Sequence, residues 1–327
     1  MENITRLILA LICLCGLAVP AALAQSTPPD FAQWLEQLRA DARAAGISPA
    51  TLDAALAGIE EPQKRILDSD RAQPEKTQSL ADYVATRVSP QRIAEGRQVL
   101  LRYPTWLGRV ERKYGVQRRF IVALWGIESG YGRHTGKLPV FPALVTLAYD
   151  TRRGDYFRKE LLDALRILDA GQVPLSQMQG SWAGAMGNFQ FMPSTYRQYA
   201  VDGDGDGRID LWNSIPDALS SAANYLAKAG WENDQTWGRP VRLPKGFDPS
   251  LAGLKTRMTL ARWQALGVRT SDGRALPKRN LQASLLVPDE AGGPAYLVYG
   301  NFRVLLRWNR ANAFAVADGT LADSFAE

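Results

Sequence analysis

The chain has 327 residues, of which 46% are hydrophobic and 22% are charged, and its formal net charge is +6. These proportions are those of a globular protein, and they exclude a disordered chain, a collagen and a coiled coil. The basic excess favours anionic partners, but the basic residues are dispersed rather than arranged in a stripe, which argues against a nucleic-acid binder. A Ser-His-Asp triad or a His-rich metal site would have to be built around the single histidine, His134.

The N-terminal segment has the features of an export signal. An apolar run over residues 7–24 follows Arg6 and ends in the small-x-small sequence Ala-Leu-Ala. We predict a signal peptide over residues 1–24 and a periplasmic mature protein. A membrane anchor is less favoured because the run is short for a bilayer span and contains Gly16 and Pro20. Lipid attachment is also less favoured, since neither cysteine follows a small residue, and cleavage removes both cysteines.

Helical patterns dominate the first two thirds of the mature chain. Apolar residues at helical spacing predict helical structure from Phe31, and Ser48 and Ser89, each followed by proline, predict two helix starts. Residues 64–80 are polar, and we predict a surface loop there. Further helices are expected over residues 116–128, 156–168 and 217–229, and a last one from about Asn312. Short alternating runs between residues 239 and 300 predict a small β-containing insertion.

These elements predict an α+β fold that is mainly α. We expect an N-terminal helical region over residues 25–100, a core over 101–237 and a small β-containing subdomain over 238–300. Residues 301–327 are expected to return to the core.

Glu128 ends a helical stretch that is apolar on nearly every side. At helical spacing its carboxyl shares a face with Ile121 and Trp125, so partial burial beside an indole favours the neutral form. A carboxyl that is neutral near pH 7 suits general acid catalysis, which contributes roughly 10²–10⁴ in rate. The alternative from this pattern alone is a glutamate that caps the helix or forms a salt bridge at its end.

A second segment, residues 180–194, reads GSWAGAMGNFQFMPS. Small residues alternate with aromatic ones, and Gln190 adds an amide that both donates and accepts hydrogen bonds. Close backbone approach between aromatic walls suits a sugar-binding groove. A tightly packed turn in the core has the same pattern, and periodicity cannot separate the two.

The loop that begins at Asp202 fits the first nine positions of an EF-hand calcium loop. Acids occupy positions 1, 3 and 5 (Asp202, Asp204 and Asp206), glycine follows at position 6, and the carbonyl of Arg208 stands at position 7. Position 12 is Asn213 rather than the usual glutamate, so the loop is incomplete. We predict a structural Ca²⁺ site and no catalytic cofactor; an Asp/Gly turn without an ion is the alternative.

The motifs together closely resemble the membrane-bound lytic murein transglycosylase B family. The resemblance rests on Glu128-Ser129-x-x-Gly132, on the GAMGxxQFMPS sequence of residues 184–194, on the Asp202 loop as far as Trp212, and on Asn224-Tyr225. The match runs in order from about residue 83 to the C-terminus. It implies a lysozyme-like core, with an added helical domain and a small β domain. It also implies cleavage of the MurNAc–GlcNAc bond of peptidoglycan with 1,6-anhydro-MurNAc ends.

The resemblance also assigns roles to individual positions. It implies that Glu128 acts first as acid and then as base, with help from the 2-acetamido group of the substrate, and that Asp217 supplies the later calcium ligand. It implies eight substrate-binding residues: Tyr83, Arg152, Arg153, Ser181, Gln190, Phe191, Tyr225 and Asn309. Phe314 stands where the family has a tyrosine, so a hydroxyl contact is lost there. Asp150 and Asp155 remain open as a second carboxylate.

Two other functions stay open at this level. A hydrolase of the same fold would release reducing muramic acid through water, and a wall-binding protein without activity would keep the cleft alone. The expected partners are peptidoglycan glycan strands, with cell-wall synthesis or remodelling proteins as a further class. We expect a monomer.

Overall fold

The computed structural model describes residues 30–72, 78–287 and 294–325. The helices are α1 (Phe31–Ala44), α2 (Pro49–Ala55), α3 (Lys64–Arg71), α4 (Leu80–Arg87), α5 (Pro90–Arg102), α6 (Pro104–Tyr114), α7 (Arg118–Ser129), α8 (Val140–Tyr149), α9 (Gly154–Asp169), α10 (Pro193–Tyr199), α11 (Ile215–Lys228), α12 (Leu260–Ala265), α13 (Gly300–Trp308) and α14 (Asn312–Ser324). The strands are β1 (Leu138–Pro139), β2 (Gln179–Gly180), β3 (Gly238–Arg242), β4 (Gly253–Thr259), β5 (Arg269–Thr270), β6 (Gln282–Leu286) and β7 (Ala295–Val298).

The predicted signal peptide lies outside the described residues. Within the described ranges, none of the helices combines the length and the apolar character that a membrane crossing requires.

Most predicted helices are confirmed, and their starts follow the expected capping chemistry. The Ser48 hydroxyl accepts a hydrogen bond from the Thr51 N–H at 3.2 Å, and the Ser89 hydroxyl accepts one from the Arg92 N–H at 3.2 Å. Each satisfies an amide that the first helical turn leaves without a partner, and each is followed by proline at the first helical position. The helices expected over 116–128, 156–168 and 217–229 are α7, α9 and α11.

The surface loop predicted over residues 64–80 is wrong in its first half, where α3 forms. Two of its residues face inward, Ile66 at 1% exposure and Asp70 at 2%. The Asp70 carboxylate is paired with the guanidinium groups of Arg152 and Arg153. The segment is mostly polar, and its composition therefore suggested a loop. One buried apolar residue and one paired acid are nevertheless enough to hold this short helix against the core.

A five-stranded antiparallel sheet fills the β-containing region, in the order β4-β6-β7-β3-β5. It has its own apolar cluster, in which Trp263 is fully buried and donates its indole N–H to the Ala283 carbonyl at 3.0 Å. The sheet of β1 and β2 is separate and pairs Leu138 with Gly180, which joins the chain after α7 to the start of the 180–194 segment. The domain boundaries stay predictions.

The central helix is α7, whose residues from Phe120 to Gly126 are all buried. The last helix, α14, packs against both α7 and α4, and α13 packs against α14. Chain segments that are far apart in sequence therefore meet at the C-terminal end of α7, where Glu128 lies.

Candidate active site

Asn188 joins the end of α7 to the 180–194 segment. Its side-chain oxygen accepts the Trp125 indole N–H at 2.9 Å, and its backbone carbonyl accepts the Ser129 hydroxyl at 2.6 Å. The amide of the same side chain donates to the carbonyls of Leu211 and Trp212, both at 2.9 Å. One buried residue thus fixes the segment and the end of the acidic loop relative to the helix that carries Glu128.

Two glycines allow the backbone to approach closely here. Gly136 has a φ of +88°, and a Cβ placed on it would lie 2.0 Å from the Gly180 carbonyl carbon. Gly187 has a φ of +69°, and a Cβ there would lie 2.6 Å from the Leu211 carbonyl oxygen. Both positions need glycine for conformation and for space, which explains part of the spacing of small residues around Glu128.

The Glu128 carboxylate accepts the indole N–H of Trp308 at 2.7 Å. The indole expected beside the acid was that of Trp125, which shares its helix face, but that N–H is used by Asn188. Trp308 comes from the end of α13, and its ring packs on Phe191 and Tyr225 with centroid distances of 5.4 and 4.7 Å. The partner of the acid is therefore held by an aromatic cluster.

Glu128 opens into a cleft of about 720 Å³. It is half-buried, and it is the only acidic side chain among the described residues that line this cleft. Asp150 and Asp155, the other two acids considered, line a neighbouring hollow instead. A single carboxyl thus faces whatever binds here.

Four of the eight predicted substrate residues line this cleft with Glu128: Arg153, Ser181, Gln190 and Asn309. The Ser181 oxygen accepts the backbone N–H groups of Ala183 and Ala185, both at 3.2 Å, so its own proton can be donated elsewhere. Gln190 has a φ of +51°, and its side chain bonds the carbonyls of Thr135 and Gly187 at 3.0 and 2.9 Å. These two hydrogen bonds stabilise the left-handed backbone conformation and fix the side chain at the lining of the cleft.

The two predicted arginines differ in placement. Arg153 lines the cleft, with its guanidinium 4.9 Å from the Phe157 ring centroid, and it also lies 3.4 Å from Asp70. Arg152 pairs with Asp70 and lines the neighbouring hollow rather than this cleft. Of the two predicted arginines, only Arg153 lines the cleft that contains Glu128.

Three aromatic positions are more buried than substrate contact requires. Tyr83 on α4 and Phe191 are each 2% exposed, and Phe314, the residue at the position of the family tyrosine, is equally buried in α14. Tyr225 lines an adjoining hollow and donates its hydroxyl to the Arg307 carbonyl at 2.7 Å. Sugar contacts by Tyr83, Phe191 and Tyr225 stay predictions, and Phe314 packs in the core as expected for a residue without the hydroxyl.

The acidic loop brings together three of its predicted ligands. Carboxylate oxygens of Asp202, Asp204 and Asp217 lie within 4.8 Å of one another. Burial raises the pKa of Asp217, and the charges of Asp204 and Asp202 add to this effect. A bound cation would relieve that repulsion, and three convergent carboxylates are the ligands that Ca²⁺ prefers, so these residues fit the ion.

The other two predicted ligands are not part of that group. The Asp206 carboxylate accepts the backbone N–H of Arg208 at 2.8 Å, which closes a turn at the exposed tip of the loop. The calcium contacts expected from Asp206 and from the Arg208 carbonyl stay predictions.

The chain belongs to the family described as the transglycosylase SLT domain, whose sequence model matches residues 30–323. This confirms the family resemblance predicted from the motifs. Membrane-bound lytic murein transglycosylase B of Escherichia coli K12 is 36% identical over 247 residues, which are 73% of this chain and 65% of that protein. The chain therefore spans a little under two thirds of that relative.

Solved structures agree with the family. SltB3 from Pseudomonas aeruginosa, in complex with NAG-anhNAM-pentapeptide, is 47% identical, with a TM-score of 0.86 over 90% of this chain and 79% of that one. Escherichia coli Slt35, in complex with calcium, is 30% identical, with a TM-score of 0.76 over 92% and 93% of the two chains. The predicted fold class, a mainly α lysozyme-like fold with a small β part, is thus confirmed.

The Trp308 indole is predicted to matter for the reaction through its single N–H. Trp308→Phe keeps an aromatic ring in the cluster but removes the donor to Glu128. A hydrogen bond to a charged group contributes roughly 1.5–3 kcal/mol, so we expect kcat on purified sacculi to fall about 10- to 100-fold. Trp106→Phe, on α6 and outside the cleft, is the matched control and should keep wild-type activity. Equal activities of the two variants would contradict the role given to the indole.

Proposed function

We propose that this chain is a lytic transglycosylase that cleaves the MurNAc–GlcNAc β-1,4 bond of peptidoglycan and leaves 1,6-anhydro-MurNAc ends. The observation that carries the proposal is the single carboxyl, Glu128, in a cleft lined by aromatic, amide and guanidinium groups. The SltB3 complex with an anhydro-muramoyl ligand supports it. Ordinary glycosidases use two carboxyls, and substrate assistance is the known exception.

The first step uses Glu128 as a general acid. Its carboxyl proton moves to the glycosidic oxygen as the bond from that oxygen to the muramoyl C1 breaks. The carbonyl oxygen of the 2-acetamido group attacks C1 from the other face and gives a cyclic oxazolinium intermediate. The Glu128 carboxylate that results keeps the Trp308 N–H as a donor, and this hydrogen bond stabilises the new charge.

The second step uses the same group as a base. The Glu128 carboxylate removes the proton of the muramoyl C6 hydroxyl, and the C6 oxygen attacks C1 and displaces the acetamido oxygen. The 1,6-anhydro ring closes, and Glu128 is protonated again. Because the C6 hydroxyl supplies the proton that restores Glu128 to its acid form, the cycle needs no second carboxyl and no water.

The substrate groups next to the sugar have partners of matching chemistry. Arg153 offers a guanidinium to the lactyl or stem-peptide carboxylates, and Ser181 offers a hydroxyl to Glu128 or to the acetamido group. Gln190 and Asn309 supply amides at the cleft surface. Arg152 would act indirectly, because it shares Asp70 with Arg153.

The mass of the soluble products tests this function. Purified sacculi are digested with the mature protein, and the muropeptides are measured by mass spectrometry. We expect disaccharide peptides that are one water lighter than the products of a lysozyme. Products of full hydrolytic mass would favour the hydrolase, and no soluble product would favour a wall-binding protein.

We further propose that Ca²⁺ binds between Asp202, Asp204 and Asp217 and stabilises the fold without joining the reaction. The loop carrying Asp202 lies between α10 and α11, and the Asp217 carboxylate accepts the Gly203 and Asp210 N–H groups at 2.7 and 2.8 Å. An ion there would fix the loop to the start of α11. Slt35 in complex with calcium supports the assignment.

Calcium is therefore predicted to raise the melting temperature. At about 100 times the dissociation constant an ion adds about 2.7 kcal/mol, which corresponds to an increase of about 5 °C for a domain of this size. Protons compete for Asp217, whose pKa is raised, so the increase should be larger at neutral pH than in acid. Calorimetry with and without a chelator measures it. Asp204→Asn should lose most of the increase, and the control Asp53→Asn on α2 should keep it. A wild-type melting temperature that is the same with calcium and with chelator would contradict the site.

The remaining proposals concern place and partners. We propose a periplasmic protein, because the N-terminal sequence has the pattern of an export signal. Action as a monomer on glycan strands stays a prediction. Membrane tethering is the less favoured arrangement. Contacts with wall synthesis or remodelling proteins stay a prediction.

A further inference from the structure

Asp318 is a buried carboxyl that the proposed reaction does not use. It lies in the middle of α14, is 0% exposed, and has Ala315, Val316 and Ala317 as its neighbours along the helix, all buried as well. Neither of its carboxyl oxygens has a hydrogen-bond partner among the described residues. An ionised carboxylate in such a place is destabilised by several kcal/mol, whereas the neutral acid is tolerated.

The charges near Asp318 also favour its neutral form. Burial raises the pKa of Asp318 well above its ordinary value, and the charge of Glu128 on α7, when that group is ionised, and the charge of Asp323 on α14 add to this effect. The cations on the helices packed against α14 are engaged elsewhere. On α7, Arg118 pairs with Glu111, and Arg119 pairs with Asp323 of α14. On α4, Arg87 lies over the Tyr83 ring. On α13, Arg303 and Arg307 donate to the backbone carbonyls of Leu254 and Ala229. Asp82, the acid of α4, is bonded to Ser79 at the start of its helix.

The position of α14 governs the surroundings of the catalytic carboxyl. This helix packs on α7, which ends at Glu128, and on α13, which ends at Trp308. The indole of Trp308 is the donor to Glu128. A shift of α14 would therefore move both members of that hydrogen bond.

We propose that Asp318 is a positioning residue for Glu128: its protonated form lets α14 pack on α7, and its ionisation loosens that packing and withdraws support from Glu128 and Trp308. The part that concerns activity rests on the proposed function. The part that concerns packing does not rest on the proposed function, because it depends only on the burial of the Asp318 carboxyl.

The sign of the pH effect follows from the raised pKa of Asp318. In the unfolded chain an aspartate ionises above about pH 4, whereas in the folded protein it stays neutral to a higher pH. Over that interval the unfolded state gains the free energy of ionisation and the folded state does not. The contribution of Asp318 to stability is thus complete in acid and is lost as the pH rises through this window.

The test compares melting temperatures of the full mature chain as wild type, Asp318→Asn and Asp318→Leu between about pH 4.5 and pH 8.5. Asparagine imitates the neutral acid and leucine removes the polar group, and the other titrating residues cancel in the difference from wild type. We expect each variant to gain on wild type by about 5 °C or more as the pH rises over this range. Differences that stay constant with pH for both variants would overturn the proposal.

Turnover of sacculi gives the second readout. We expect the activity of Asp318→Asn to persist to a higher pH than that of wild type, with similar activity in acid. A pH-dependent gain in melting temperature with identical activity profiles would overturn the positioning role. If the wild-type protein itself does not digest sacculi, the proposed function fails, and the melting temperatures still decide whether the ionisation of Asp318 loosens the packing of α14.

Discussion

Glu128→Gln is expected to lower kcat on purified sacculi by about 10³-fold or more, which is the largest effect predicted for this protein. The amide has nearly the shape of the carboxyl and can still accept the Trp308 N–H, so the cleft should keep its geometry. It has no proton to give to the leaving oxygen and cannot take one from the C6 hydroxyl. Both steps of the proposed reaction are therefore lost together.

The control for this experiment is Glu36→Gln, an exposed position on α1 with the same chemical change. It should digest sacculi at the wild-type rate. The melting temperature of Glu128→Gln should stay close to that of wild type, so that lost activity is not lost folding. Digestion by Glu128→Gln at the wild-type rate would show that another group supplies the proton.

Asn188→Ala is expected to give the largest loss of stability. The change leaves the Trp125 indole N–H and the Trp212 carbonyl without their side-chain partner in a site that is 1% exposed, while the Leu211 carbonyl keeps the backbone N–H of residue 188. Each buried polar group left unpaired costs roughly 1–3 kcal/mol, so we expect a total of about 3–5 kcal/mol. Chemical denaturation followed by fluorescence measures it.

Asn280→Ala is the matched control, because Asn280 is exposed in a loop of the β-containing region. Its unfolding free energy should lie within about 0.5 kcal/mol of wild type. If Asn188→Ala were as mild as this control, Asn188 would not hold the cleft segments together. Activity should fall with stability in Asn188→Ala, since the same bonds fix the segment opposite Glu128.

The parts of the fold and of the site that could be predicted from sequence are those with a local signal. Glu128 stands at the end of an apolar helix, the acids of the calcium loop are spaced by a known turn, and Ser48 and Ser89 precede prolines. In each case neighbours in the chain determine the chemistry, so a short window of sequence contains the necessary information.

Partners from distant segments could not be predicted in the same way. Trp308 is 180 residues from Glu128, and the family resemblance indicated its neighbour Asn309, rather than Trp308, as the contact in the cleft. Asn188 stood within a predicted motif, but its role depends on carbonyls that tertiary packing places beside it. Asp70 was missed with α3, since its burial depends on two arginines more than 80 residues away.

The burial of Asp318 has a local signal in the sequence. In the sequence of α14 apolar residues precede Asp318, the first of its two acids, and a helix predicted to return to the core must either bury that acid or expose it. A charged residue type in the apolar part of a core helix indicates either a paired ion or a neutral acid. Neither oxygen has a hydrogen-bond partner in the part of the chain that the structure describes, which favours the neutral acid.

Digestion of sacculi in water enriched in the heavy oxygen isotope tests the central claim most directly, namely that one carboxyl closes the anhydro ring without a water molecule. The proposed reaction predicts muropeptides with anhydro ends that carry no heavy oxygen. Heavy oxygen on the muramic acid C1 would show that water attacks the intermediate, and it would contradict the assignment of Glu128 as the base that activates the C6 hydroxyl.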